Sequence, residues 1–178
     1  MAGDPSNARL WADADVYVSF DTSASDPTDI DTPFGPEWEL VGILNGDDGF
    51  TESREEETTD HYGWGGMLLR TGRRNFKLTR TFTALESNEV TYRLRYPGST
   101  STQIVAPSGN RIERVKVAFE TVDGDIKRRV ISAFEAEITV DGDVTENESD
   151  ISAITFVATI FPDSSGVLFN LQETAAAS

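Results

Sequence analysis

Apolar and polar positions alternate over most of the chain, so the dominant period is two and the predicted element is the strand. Ala14, Val16, Val18 and Phe20 share one face against Asp15, Tyr17 and Ser19, which predicts a half-buried strand over residues 14–20. Residues 38–44 read as a second strand and 67–71 as a short apolar one. In 76–85, Phe76, Leu78, Phe82 and Ala84 oppose Lys77, Thr79, Thr81 and Thr83. Arg80 falls on that apolar face, where it needs either a carboxylate partner or a place at a sheet end with its head in water. In 112–122, Val115, Val117 and Phe119 face in while Arg114, Lys116 and Glu120 face out. The turn Asp123-Gly124-Asp125 returns the chain as one long strand over 126–140. In its second half, Phe134, Ala136, Ile138 and Val140 oppose Ala133, Glu135, Glu137 and Thr139. Residues 151–161 are apolar on both faces, which predicts a central strand covered on both sides, and 167–171 close the series.

One stretch, 87–96, has helical spacing. Ser87 is the expected N-cap, Val90 and Leu94 share a face, and Pro97-Gly98 stops the turn. Residues 21–37 carry three X-Pro pairs among Asp and Ser and read as a loop, long enough to be functional or poorly ordered. Residues 46–60 read as a second long acidic loop, 141–150 as an acidic turn region, and 173–178 as a frayed end. Seven or eight strands in antiparallel hairpin order with one helix predict a mainly β fold. We expect an antiparallel β-sandwich or rolled barrel with one flanking α-helix, built as a single domain over 1–178.

Charge changes this picture by its distribution. The net charge of −16 conceals three blocks. Residues 1–60 hold 16 acids and 2 bases, 61–130 hold 6 acids and 13 bases, and 131–178 hold 9 acids and no base. Opposite blocks either neutralise each other within a subunit or meet between copies, where head-to-tail contact propagates as rings or filaments. The overall acidity opposes phosphate-neutralising nucleic-acid recognition and adhesion to anionic membranes.

Candidate chemistry is sparse. With no Cys and a single His, thiolate sites, Cys nucleophiles and multi-His metal sites within one chain are excluded. His61 lies in an acidic stretch without a nucleophile partner. Gly63-Trp64-Gly65-Gly66 lacks the Lys and the strand-to-helix setting of a phosphate loop. Residues 141–147 resemble the start of an EF-hand loop, but Glu146 replaces the required Gly and Ser152 the bidentate Glu. No cofactor and no catalytic residue is expected. The basic cluster Arg70, Arg73, Arg74, Lys77 and Arg80 lacks the aromatic platform of a single-strand binder. No apolar run reaches membrane-spanning length, and the first 15 residues carry no signal-peptide pattern.

Several stretches, in order, resemble the major tail tube protein of long, non-contractile-tailed phages, particularly those of actinobacteria. They are residues 46–56 (GDDGFTESREE), 60–66 (DHYGWGG), 73–86 (RRNFKLTRTFTALE), 96–99 (YPGS), 143–150 (DVTENESD), and 160–163 (IFPD) with 167–169 (VLF). The resemblance runs from about residue 12 to 172. It implies a virion protein made in the host cytoplasm that self-assembles into hexameric rings. These stack into a tube around a tape measure protein, bounded by tail terminator and tail tip proteins, with viral DNA as transiting cargo. It also implies a sheet that joins its neighbours into a continuous inner barrel. The immunoglobulin-like C-terminal domain of some relatives is not expected here.

Joined to the charge blocks, this resemblance makes Glu135 and Glu137 candidates for the lumen, where like charge repels phosphates. Glu55, Glu56 and Glu57 against Arg70, Arg73, Arg74 and Lys77 are candidate intersubunit contacts, with an intramolecular hairpin as the competing arrangement. The other classes weighed are a tail-terminator or head–tail joining ring protein, a cellular β-sandwich binding module and, last, an enzyme.

Overall fold

The computed structural model describes residues 8–100, 102–106 and 113–174. Nine strands and one helix follow in chain order: β1 Asp13–Ser19, β2 Glu39–Leu40, β3 Thr51–Tyr62, β4 Leu68–Ala84, α1 Glu89–Arg95, β5 Arg114–Asp123, β6 Ile126–Ser132, β7 Ala136–Asp141, β8 Ile154–Ile160 and β9 Phe169–Glu173. All pairings are antiparallel, along the path β2-β1-β5-β7-β8-β4-β3, with β6 joining β5 to β9. This is the mainly β, sandwich-like architecture with a flanking helix that the alternation predicted.

β5 is where two layers divide. One of its edges pairs with β1 along seven residues. The other pairs with β6 through Ala118–Asp123 and with β7 through Arg114 and Val115. At the fork Val117 N–H loses its ladder partner and donates instead to Ser132 Oγ at 3.0 Å, which keeps a buried donor satisfied. The expected single strand over 126–140 is therefore two. The chain breaks at 133–135, where Ala133 N–H donates to Leu168 O and Glu135 O accepts from Phe161 N–H.

Between the layers lie Val16, Val18, Leu78, Phe82, Val115, Val117, Phe119, Ile138, Phe156 and Ile160, all buried. Phe82 and Phe156 stack at 5.4 Å, and Phe119 meets Phe82 edge-on at 6.0 Å. Val90 and Leu94 of α1 close this core. The N-cap is Asn88 rather than Ser87: its side chain accepts from Thr91 N–H, while Thr91 Oγ1 accepts from Asn88 N–H, a reciprocal capping box.

Four further expectations are corrected. Residues 38–44 pair as a strand only at Glu39 and Leu40, because Gly42 at φ 111° turns the segment away from β1. It then reaches β4, where Leu44 bridges Ala84. A Cβ at Gly42 would stand 2.5 Å from Glu86 Oε2, the atom that accepts from Ile43 N–H. The expected acidic loop 46–60 is a turn followed by β3. β8 is central, but it buries one face only; Thr155, Val157 and Thr159 are half-exposed and Ile151 is exposed. At the C-terminus, β9 holds Glu173 and Thr174 N–H donates to Lys127 O, so the expected fraying does not begin at 173; 175–178 lie outside the described residues.

Candidate assembly surfaces

β3 and β4 form one long hairpin whose two halves have different surroundings. Leu78–Ala84 of β4 pair with β8. Among the described residues, the hairpin has no third strand beyond Leu78, and β3 pairs with nothing but β4 along its whole length. Every residue of β3 and of the β4 half before Leu78 is exposed except Thr59 and Gly72, which are half-buried. A ribbon of about ten residues per strand reaches roughly 30 Å beyond the body. Tyr62, Trp64, Met67, Leu68, Leu69 and Phe76 stand exposed along it. An isolated two-stranded ribbon is marginal in water, and clustered apolar side chains of this kind mark interaction surfaces.

The seven charged candidates all lie on this ribbon, where acids stand across from bases within one subunit, Arg70 excepted. Glu55 faces Lys77 in register, Glu57 faces Arg74, and Arg73 reaches Glu56 at 3.7 Å. Asn75, at φ 58°, donates to Glu57 Oε2 at 2.6 Å beside a register shift between Glu55 and Glu57. Arg70 faces His61. These contacts are exposed and worth only about 0–1 kcal/mol each, so they set strand register more than stability. The wider charge blocks also meet within the subunit, at Lys116–Asp26, Arg114–Glu137 (3.8 Å) and Arg128–Glu173 (3.1 Å).

Glu137 lies on the outward face of β7, opposite Thr159 of β8. Glu135 lies in the break before β7, and both are half-exposed. Thr139, Val157 and Thr155 continue this polar, half-open face.

The most buried charges are elsewhere: Glu120 and Lys116, which alternation turns outward, and Arg129 of β6. Glu120 and Arg129 pair at 2.7 Å and are both buried, and Lys127 approaches Glu120 at 3.3 Å. Segment 21–38 covers them. Arg129 donates to Asp29 O (3.2 Å) and Thr32 O (3.0 Å) and lies over the Phe34 ring. Lys116, also buried, donates to Ala24 O and pairs with Asp26 beside Trp38, whose Nε1–H donates to Ser25 O at 3.0 Å. Phe34 stacks on Tyr17 at 4.2 Å. The proline-rich loop is thus clamped onto the sheet by two cations. The signal for this was its own aromatics, Phe34 and Trp38, which solvated loops seldom carry together.

Asp15 sits at the edge of this cluster, in register opposite Glu120. Burial pushes its carboxyl above the ordinary 3.8, and the charges of Asp13 and Glu120 add to the shift. A carboxyl raised in the folded state opposes folding above that value, and the penalty vanishes once pH falls below 3.8, where both states are protonated. Asp15→Asn should therefore gain a few tenths to about 1 kcal/mol at pH 7, as expected for relieving a cross-strand like-charge pair. Urea unfolding should show the gain shrinking to nothing by about pH 3.5.

Among the described residues, no group of three or more His, Asp or Glu is gathered to hold a metal, and no helix is long and apolar enough to cross a membrane. A mainly β body with a bare two-stranded ribbon projecting from it has the build of a structural subunit that is completed by others. The chain belongs to the phage tail tube protein family, whose model matches residues 1–171. No curated protein matches it. It is accordingly a structural virion protein that self-assembles, with other tail components, into the tube of a phage tail.

Proposed function

We propose that the chain, acting as one tail-tube domain over 1–178, forms hexameric rings that stack into a tube and conduct viral DNA during ejection. Assembly takes place in the host cytoplasm around a tape measure protein, and terminator and tip proteins bound the tube. The observation that carries this reading is the β3–β4 ribbon: a projecting element with open edges and exposed apolar side chains, on a chain of a self-assembling family. Electron microscopy of the concentrated subunit is expected to show tubes; isolated rings or persistent monomers would overturn the stacking.

The same reading takes the outward face of β7 and β8 as the wall of the lumen, with Glu135 and Glu137 presented to the DNA. Support comes from the polar, half-open character of that face and from the lack of any base after residue 130. A negative wall repels phosphates and leaves no counterion release to favour binding. Tubes of the Glu135→Lys/Glu137→Lys variant should retain short duplex DNA with an affinity that falls steeply with salt, while wild-type tubes retain none. Equal retention by both would remove these two residues from the wall.

A further inference from the structure

The end of the body formed by the start of β1 and the 44–49 turn holds a cavity of about 310 Å³. Arg80 and Arg128 line it, with Trp11, Phe50, Asn45 and Thr83. Arg80 lies on the inward face of β4 between Leu78 and Phe82, where a hydrophobic residue would be ordinary. Of the two arrangements expected for it, the carboxylate partner does not occur, and the residue stands half-buried on the cavity wall. Its guanidinium lies 4.6 Å from the Phe119 ring and 5.4 Å from Phe50, with no described carboxylate within 4.0 Å. Its Nε is buried and has no hydrogen-bond partner. Glu52, the acid whose charge acts on it, is held by Arg54 at 2.7 Å.

Arg128 crosses the Trp11 ring at 4.8 Å and pairs with Glu173, yet its Nε too is buried without a partner. Asp13, the one carboxylate on the wall, accepts from Ala14 N–H. Two guanidiniums share the space with one acid. Burial presses Arg80 toward losing its proton; the charge of Glu52 opposes this, and the nearby Arg128 offsets part of that opposition.

We propose that this cavity is a carboxylate-binding site, filled in the assembled tube by an acidic side chain of a second copy of this chain. A guanidinium fork matches a carboxylate in shape and number of donors, and the aromatic walls exclude water around the pair. The donor is a copy of the same chain because the family reading supplies copies as the constant neighbour, and each copy carries 31 acids against 15 bases. The inference rests on that reading for its occupant, but not for the site.

Two measurements separate these parts. Melting of the isolated subunit in succinate is compared with chloride at equal ionic strength, for wild type and Arg80→Met. Wild type should gain about 3–5 °C, the rise given by a ligand at roughly ten times its Kd, and the variant should gain nothing. An equal response of both would overturn the site. If Arg80→Met does not fold, Arg128→Gln carries the same comparison.

Assembly is then measured by sedimentation. The variant subunit, folded by circular dichroism, should polymerise only at a concentration at least about tenfold higher, the loss expected for two charge-assisted hydrogen bonds. Normal polymerisation with the succinate response intact in wild type would mean that the cavity takes free anions only, overturning the second-copy occupant. Wild-type protein that never polymerises would overturn the tube reading, with the succinate comparison still deciding the site.

Discussion

Replacing residues 56–76 with Asn-Gly should abolish tube formation while leaving the subunit folded, with a melting temperature within about 2–4 °C of wild type, the equivalent of roughly 1 kcal/mol. The cut joins Glu55 to Lys77, which face each other in register, through a two-residue turn suited to a hairpin. It removes no residue of the core: the deleted stretch is exposed apart from half-buried Thr59, Gly63 and Gly72. What it does remove is the apolar stripe from Tyr62 to Phe76 and the unpaired edges beyond Glu55 and Lys77. Sedimentation and electron microscopy would read the result. Normal tubes from the shortened chain would mean that the ribbon plays no part in contacts between copies. Reversing Glu55, Glu56 and Glu57 to Lys is the milder version. It sets like charges opposite Lys77, Arg74 and Arg73, so it should loosen the ribbon and alter the salt dependence of assembly while the body melts as before.

The largest effect on stability is expected at Arg129. Arg129→Met strands the buried Glu120 with only Lys127 for company, and it leaves the carbonyls of Asp29 and Thr32 without their donor. Breaking one side of a buried pair costs about 3–5 kcal/mol, a fall in melting temperature on the order of 10 °C for a chain of this size. Hydrogen exchange should show why: amides in 21–38, slow in the wild-type subunit before any assembly, should exchange much faster in the variant. Adding Glu120→Leu to Arg129→Met should recover most of the loss, since an apolar pair no longer needs partners. A single variant within 1 kcal/mol of wild type would show that the aromatic contacts of Phe34 and Trp38 hold the loop without the ions.

These two regions were unequally legible. The ribbon's strands sit in sequence where alternation is poor, since neither of its faces is buried and no apolar face is needed; without that face β3 reads as an acidic loop. Its charges were legible, because Glu55–Glu57 and Arg73–Lys77 are clustered and adjacent, but clustering cannot say whether opposite signs meet inside one chain or between two. The clamp was misread in the opposite direction. Arg114, Lys116 and Glu120 alternate with valines as a solvated face would, and Lys116 and Glu120 are buried only because a distant loop folds over them.

The period-two strands, the Val16–Val18 and Val115–Phe119 inward faces, the helix with its Pro97-Gly98 stop, and the family can all be read from the residues alone, because each rests on local spacing or on ordered motifs. Tertiary structure alone decided where β6 parts from β7, which charges are buried, and that Arg80 and Arg128 share one cavity. The physical reason is range. Alternation reports which side of a strand is dry when its neighbours are near in sequence. Burial of Arg129 depends on a loop about 100 residues earlier, and a cavity depends on where several strands stop, neither of which leaves a periodic trace.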